Sequence, residues 1–207
     1  MQEDGNLHIS DGLNLPNIDY GEGLVNHVEF KSYLQKSMKD AGFTYIDSGM
    51  DALVYSFLQD GKNYVLKMYY RTCLGFSSRY KEEDREKYEE LLPIYKRATN
   101  LAASKSYKID SGTVKINPIV DMFYSDKLKA WCGISENIRG EKLDPTKDQK
   151  VIAELRNLKG VVMIQQGVKG VDLAPVNVKK VYNKKKDEYE YVVTDLSSSV
   201  LIDFSPK

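Results

Sequence analysis

Four features of the sequence could take part in chemistry. Lys67 interrupts one apolar run, and Asp195 ends another. Asp172 and Asn177 stand five residues apart in the segment between those two runs. The fourth feature is a turn of small residues at the start of 48–55, which opens into a β-branched and aromatic stretch. Each feature alone is commonplace: a turn, a lysine whose stem covers apolar surface, or an aspartate in a proline-containing loop.

Along the chain, the turn comes first, then Lys67, then Asp172 with Asn177, and finally Asp195. Together and in that order, these features are the ones that phosphoryl transfer from ATP requires. Backbone N–H groups cover the phosphates, and a lysine neutralises part of their charge. One carboxylate accepts or orients the proton of the attacking hydroxyl, while an amide and a second carboxylate hold Mg²⁺. The combination therefore indicates chemistry on ATP with Mg²⁺ as the metal cofactor.

The same segments resemble protein kinases, and more narrowly the atypical Rio-type kinases. Asp172 and Asn177 match the kinase catalytic-loop pattern Asp-x-x-x-x-Asn. The stretch 48–55, Ser-Gly-Met-Asp-Ala-Leu-Val-Tyr, is similar to the Rio signature that replaces a glycine-rich loop. The stretch 195–200, Asp-Leu-Ser-Ser-Ser-Val, is similar to the Rio ending Asp-x-Ser-Gln-x-Val.

The resemblance implies a catalytic role for Lys67 and Asp172, and Mg²⁺ binding by Asn177 and Asp195. Nucleotide contacts are expected from the turn, from the strand pair that follows it, and from a hinge-like segment at 134–140. The residues expected to bind the nucleotide are Ser48, Gly49, Ala52, Val54, Val65, Lys67, Glu136 and Ile138.

The geometry of a strand agrees with this arrangement. Because alternate residues share a face, Val65 and Lys67 point together and place apolar surface for a base beside a charge for phosphates. Val54, on the preceding strand, can cover the same ring. A helix carboxylate should pair with Lys67, and both Glu86 and Glu90 are candidates.

The sequence also departs from the protein-kinase pattern. Ala174 stands where protein kinases place a lysine, and only 12 residues follow Asp195. We therefore expect a reduced C-lobe and a minimal kinase, similar in size to small bacterial effector kinases. The predicted activity is that of a Ser/Thr protein kinase on a folded protein partner, which would be a host protein if the chain is a secreted effector.

Two alternatives to that activity stay open. One is a pseudokinase, a nucleotide-binding or interaction module without turnover. The other is a small-molecule kinase of the aminoglycoside type, which the sequence favours least because those enzymes build the acceptor pocket from helices after the metal-binding aspartate.

Composition narrows the class of protein. The chain has 207 residues with 30 basic and 30 acidic side chains, so its formal net charge is zero and a nucleic-acid partner is not expected. Its sequence has no apolar run of transmembrane length and no Sec-type signal at the start. Two cysteines and two histidines leave little for a zinc site. We expect a cytoplasmic protein, or one delivered into a host cytosol by a route other than a Sec signal peptide. The sequence does not indicate which oligomeric state the protein has.

The order of predicted elements indicates the α+β class, with a protein-kinase-like two-lobed fold, a mixed or antiparallel β N-lobe and a truncated helical C-lobe. Residues 1–25 are predicted to be a flexible or loosely docked tail, followed by one domain over 26–207 with lobes over about 26–136 and 137–207. The predicted helices cover 28–41, 78–92 with a break or kink at Pro93 before 94–103, and 146–166. The predicted strands cover 53–58, 63–69, 114–124, 129–136, 178–182 and 189–194.

Overall fold

The computed structural model describes residues 9–18, 27–48, 52–69, 82–166 and 173–195. Its helices are α1 (His27–Asp40), α2 (Glu82–Ala103) and α3 (Gln149–Gln166), with short 3₁₀ turns at Ile9–Gly12 and Pro175–Asn177. Its strands are β1 (Thr44–Ser48), β2 (Leu53–Gln59), β3 (Lys62–Tyr69), β4 (Ser106–Ile109), β5 (Gly112–Ile116), β6 (Ile119–Ser125), β7 (Ala130–Glu136), β8 (Glu141–Lys142), β9 (Val178–Asn183) and β10 (Glu188–Val193).

The described residues fall into two compact units, each built on its own five-stranded sheet. The first unit contains the described residues up to Glu89 together with Val120–Glu136, and the second contains Glu90–Ile119 and those from Asn137 onward. Because the helices and largely antiparallel sheets do not alternate as βαβ units, the predicted α+β class is confirmed. The predicted tail and lobe boundaries, at 25 and 136, stay a prediction.

The first sheet has the strand order β1-β2-β3-β7-β6, and the pairs β1–β2, β2–β3 and β3–β7 are antiparallel. Alternate residues of β2 and β3 are buried, as the period of two in a strand requires. These residues form one hydrophobic cluster with apolar side chains of α1, which recur at helical spacing. The central members are Phe30, Leu34, Met38, Leu53, Tyr55, Leu66, Met68 and Ile134.

Part of the segment predicted as a tail is docked on this cluster. Leu15 and Ile18 are buried in it, and the Ile18 N–H donates to the carbonyl of Lys127 at 2.8 Å. The Ser10 N–H donates to a carboxylate oxygen of Asp121 at 3.2 Å. Sparse apolar residues in a polar stretch gave no periodic signal from which this docking could be predicted.

The second sheet has the order β4-β5-β10-β9-β8, in which β5 and β10 are parallel and the other pairs are antiparallel. The single strand predicted over 114–124 is wrong. Asn117 and Pro118 separate β5 from β6, and the two strands belong to different sheets. Proline lacks the N–H that a continuous ladder needs, which explains the interruption.

Helix α2 continues through Pro93, so the predicted break there is wrong, whereas the alternative of a kink stays a prediction. Leu92, Tyr95, Ala98 and Ala102 are buried at helical spacing around and beyond the proline. Burial of this apolar face favours a continuous helix, although proline removes one backbone hydrogen bond. Helices α1 and α3 begin and end within three residues of their predicted bounds.

In the described parts of the chain, no helix has both the length and the apolar character needed to cross a membrane.

Candidate active site

Lys67 lies on β3, on the face of the first sheet that points away from the hydrophobic core. Its neighbours on that strand, Leu66 and Met68, are fully buried in the core, whereas Lys67 itself is half-buried. Across the sheet, Lys67 is the direct partner of Val54 on β2 and of Gly133 on β7. Lys67 therefore has an apolar residue as one cross-strand neighbour and a glycine as the other.

Gly133 leaves this row of the sheet without a side chain. A Cβ atom built there would meet the Met122 Cε and Tyr69 Cε2 atoms, each at 3.5 Å, which is ordinary van der Waals contact. A methyl group would therefore fit at this position, whereas a longer side chain would extend over the same face as Lys67.

Val65 occupies the next row of the same face. Its partners are Ser56 on β2 and Ser135 on β7, so both of its neighbours are small. Val65 and Val54 are half-buried, and neither belongs to the core cluster. The structure thus brings Val54, Val65 and Lys67 together on one face of two adjoining strands, β2 and β3.

The predicted phosphate-covering turn is described at its two ends only. Ser48 ends β1, and its hydroxyl accepts a hydrogen bond from Lys31 Nζ of α1 at 3.0 Å. Ala52 is buried immediately before β2, and Gly49 lies outside the described residues. The contact with Lys31 could not be predicted from the sequence. It joins a helix to the end of a strand through a lysine, a residue type that is usually exposed to solvent.

The other predicted nucleotide residues are divided between the two units. Glu136 is exposed at the end of β7 in the first unit, where it is the partner of Tyr64. Ile138 is half-buried in the second unit. Glu90 is exposed on α2, and the side chain of Glu86 is outside the described part of the chain.

The two predicted metal ligands lie at the same end of the β9–β10 hairpin. Asn177 ends the 3₁₀ turn before β9, and its carbonyl accepts hydrogen bonds from both the N–H and the hydroxyl of Thr194, at 2.8 and 3.0 Å. These bonds continue the pairing of Val178 with Val193 by one residue. Asp195 follows Thr194 directly, so the two predicted ligands flank the last paired residues of the hairpin.

Asp195 has a partner that the sequence did not indicate. The hydroxyl of Tyr95, on α2, donates to Asp195 Oδ1 at 2.7 Å. Tyr95 is 2% exposed, whereas Asp195 is half-buried. Helical spacing predicts burial of Tyr95 but not the partner of its hydroxyl, which lies 100 positions away in sequence.

The same region of the second unit is held together by further hydrogen bonds. The Asn117 N–H donates to the carbonyl of Val193, the last residue of β10, at 2.8 Å. The Asn100 amide of α2 both donates to the Ile119 carbonyl, at 2.9 Å, and accepts from the Ile119 N–H, at 2.8 Å. The end of β10 and the C-terminal half of α2 are thereby tied to the same segment, 117–119.

Asp172, the predicted catalytic carboxylate, lies outside the described residues. Its neighbour Leu173 is buried, and the Asn177 N–H donates to the carbonyl of Ala174 at 2.9 Å. The described end of this loop is therefore a closed turn that leads into β9.

The donor atoms at the hairpin end suit a hard cation. Asn177 and Asp195 offer an amide and a carboxylate, the oxygen donors that Mg²⁺ prefers. Within the described ranges, no three His, Cys, Asp or Glu side chains cluster as a metal site. A Mg²⁺ ion needs no such cluster, because one or two protein oxygens combine with phosphate oxygens and water.

Two carboxyl groups of the second unit have lowered pKa values, and both lie outside the predicted site. Hydrogen bonds from Lys115 and then Asn183 lower the pKa of Glu190, which is buried on β10. Asp148, just before α3, has a pKa lowered by the N–H of Asp144 and by Lys180. These groups form ion pairs with sheet lysines, at 2.8 Å for Glu190 and 3.0 Å for Asp148, and so stabilise the unit itself.

The chain is similar to the solved kinase domain of PknI from Mycobacterium tuberculosis. One crystal structure of that domain has 16% sequence identity and a TM-score of 0.43, with 76% of this chain and 61% of that one covered. A second has 15% identity and a TM-score of 0.42, with 76% and 60% covered. This chain therefore spans about three fifths of the PknI domain's length. No family model and no curated protein matches the sequence.

Proposed function

We propose that the chain is an ATP- and Mg²⁺-dependent phosphotransferase, a Ser/Thr protein kinase of a minimal, Rio-like type that acts on a folded protein in a cytosol. Its kinase-like domain spans 26–207. The observation that carries the proposal is the hairpin end, where Thr194, the residue before Asp195, bonds twice to the carbonyl of Asn177. An amide and a carboxylate at such a point are a minimal ligand pair for the Mg²⁺ of a nucleotide.

Lys67 supplies the fixed positive charge in this proposal. Its half-buried position between Val54 and the backbone of Gly133 lowers the local dielectric, which strengthens attraction to phosphate oxygens. Val54 and Val65 offer apolar contact to a nucleobase on the same face. Ser48, Gly49, Ala52, Glu136 and Ile138 complete the proposed nucleotide contacts.

Asn177 and Asp195 would hold Mg²⁺ through their side-chain oxygens. An ion held there would supply positive charge that offsets the negative charge developing during transfer. The hydrogen bonds at the end of the hairpin restrict the backbone at Asn177 and at Thr194, the residue before Asp195. That restriction reduces the conformational entropy that binding must otherwise remove.

Asp172 takes the proton in the transfer step. The hydroxyl oxygen of a substrate serine or threonine forms a bond to the γ-phosphorus, and the bond from that phosphorus to the β,γ-bridging oxygen breaks. ADP leaves with the electron pair of the broken bond, and the hydroxyl proton passes to the Asp172 carboxylate.

Calorimetric titration with ATP, with and without Mg²⁺, tests the metal ligands. In the wild-type protein, Mg²⁺ should tighten ATP binding, and Asp195→Asn should remove that tightening. Asp126→Asn is the matched control, because Asp126 is exposed in the turn between β6 and β7. If wild-type protein binds no ATP at millimolar concentration, the proposed function is wrong.

A phosphorylation assay with labelled ATP and a cell lysate tests turnover. Transfer of label to a lysate protein by the wild type, and its loss in Asp195→Asn, is the expected result. Binding of Mg²⁺–ATP without transfer in lysates of several sources would identify a pseudokinase instead.

A further inference from the structure

We propose that Tyr95 is a positioning residue for the metal site: its hydroxyl fixes the Asp195 carboxylate in the orientation that binds a divalent cation. The inference builds on the proposed function, because it assigns a task to a residue that touches one of the two proposed ligands. Tyr95 lies on α2, outside both the motif segments and the β9–β10 hairpin.

The contact is a charge-assisted hydrogen bond. The Tyr95 hydroxyl donates to Asp195 Oδ1 at 2.7 Å, within the range of strong O–H to carboxylate bonds. Tyr95 is buried, so the position of its ring is set by packing, and its hydroxyl reaches the carboxylate. A rigid donor on a buried ring holds its acceptor more firmly than a long, mobile side chain can.

Two further links fix α2 with respect to Asp195. The Asn100 amide makes two hydrogen bonds with Ile119, and Asn117, two residues before, bonds to the carbonyl of Val193. Tyr95 and Asp195 therefore belong to a closed set of hydrogen bonds rather than to an isolated contact.

The hydrogen bond leaves the carboxylate able to bind metal. A carboxylate has about four lone-pair sites, and one O–H occupies one of them. This bond by itself therefore does not prevent the carboxylate from coordinating a cation, and it restrains the rotation about Cβ–Cγ that would misdirect the oxygens. Partners that orient metal ligands in this way typically account for about 10–100-fold in metal affinity.

The structure offers a matched pair of tyrosines for the test. Tyr95→Phe keeps the buried ring and removes the hydroxyl that bonds to Asp195. Tyr107→Phe removes the hydroxyl of another buried tyrosine of the same unit, which donates to the Ala102 carbonyl at 3.4 Å. Both variants keep the buried ring, and thermal melts verify that both fold, so a difference in metal binding between them is not a folding effect.

The measurement is binding of Mn²⁺ to each protein in the presence of ATP, followed by the loss of the free-ion electron paramagnetic resonance signal. Mn²⁺ bound to ATP alone is subtracted with a protein-free titration. We expect Tyr95→Phe to weaken the protein-dependent affinity for Mn²⁺ about 10-fold or more, Tyr107→Phe to leave it unchanged, and Asp195→Asn to abolish it.

The outcomes separate this inference from the proposed function. If the wild type shows no protein-dependent Mn²⁺ binding, or if Asp195→Asn binds as the wild type does, the metal role of Asp195 is wrong and the inference falls with it. If Asp195→Asn behaves as expected but Tyr95→Phe binds Mn²⁺ like the wild type, only the role of Tyr95 is overturned. Tyr95→Met, with the same expectation, takes the place of Tyr95→Phe if that variant does not fold.

Discussion

Lys67 and Val54 are direct partners across the β2–β3 pair, on the face of the first sheet that the hydrophobic core does not use. The arrangement sets a charge and an apolar branched side chain side by side on a rigid, paired backbone. On the other side of Lys67 stands Gly133, which adds no side chain. This combination suits a nucleotide, because the aromatic face of its base packs against apolar side chains and its phosphates are anionic.

Replacement of Lys67 by alanine should weaken ATP binding by about 10–100-fold, the usual range for a lost hydrogen bond to a charged group. The melting temperature without nucleotide should change little, because the ammonium is not part of the core cluster. Lys62→Ala, an exposed lysine on the same strand, is the control and should bind ATP normally. An unfolded Lys67→Ala protein would instead mean that the lysine has a structural task.

Gly133→Leu should obstruct the face beside Lys67 and reduce nucleotide affinity at least as strongly as Lys67→Ala does. Gly133→Ala is the matched control, because its Cβ meets only van der Waals contacts at 3.5 Å. Nucleotide affinity is measured by calorimetry, and circular dichroism melts verify that both variants fold. Equal ATP affinity in the leucine variant and the wild type would place the nucleotide elsewhere.

Asp172→Asn should leave Mg²⁺–ATP binding near that of the wild type while turnover falls by about 10²–10⁴-fold, the contribution typical of a positioned general base. The proton of the attacking hydroxyl then lacks its acceptor, whereas the phosphates keep theirs. Calorimetry and the labelled-ATP assay on the same preparation measure the two effects. Full activity of the variant would mean that Asp172 is a turn residue without a catalytic role.

Local patterns predicted much of the fold. The alternation of 53–69 with Asp60-Gly61 at its centre specified β2, β3 and the turn between them, and positive φ at both turn residues explains that dipeptide. Apolar spacing over 28–41 similarly specified α1. In each case the buried face repeats with the period of the element, so neighbouring residues in sequence contain the whole signal.

Features that depend on distant segments could not be predicted. Nothing near Val114 indicates that β5 pairs in parallel with β10, because the partner Tyr191 is far along the chain. The docking of Ile18 and the hydrogen bond from Tyr95 to Asp195 could not be predicted for the same reason, since each joins segments that are far apart in the sequence. Lys67, Asn177 and Asp195 could be singled out by type and spacing, but the hydroxyl that holds Asp195 belongs to a helix whose own pattern shows only burial.

The β4–β5 turn provides a stability test of the second sheet. Gly112 has a φ of +145°, and a Cβ atom there would collide with the Tyr189 carbonyl oxygen of β10. Gly112→Ala should therefore lower the free energy of unfolding by at least about 1 kcal/mol, since backbone must move to relieve the collision.

The control is Gly160→Ala, in α3, where no atom lies within 4 Å of the added Cβ. This variant should raise the free energy of unfolding by about 0.5–1 kcal/mol. Chemical denaturation of both variants measures the contrast, and a Gly112→Ala protein as stable as the wild type would contradict the close approach of β5 and β10.

Glu190 should make the stability of the protein depend on pH in a defined direction. Hydrogen bonds from Lys115 and Asn183, at 2.8 and 2.9 Å, favour the ionised form and lower the pKa of Glu190 below its ordinary value of 4.5. A carboxyl group whose pKa is lower in the folded state binds more protons in the unfolded state at pH values between the two pKa values. Its contribution to stability is therefore complete at pH 7 and is lost as the pH falls through the folded pKa.

Glu190→Gln should accordingly reduce the free energy of unfolding by about 1–2 kcal/mol at pH 7, because a neutral amide forms weaker hydrogen bonds with Lys115. The difference from the wild type should shrink as the pH falls below about 4.5 and vanish once Glu190 is protonated in the folded protein. Urea unfolding of both proteins between pH 3 and pH 7 measures it, and Glu141→Gln, an exposed carboxyl group on β8, serves as the control. A constant difference across that range would mean that the charge of Glu190 is irrelevant and only its shape matters.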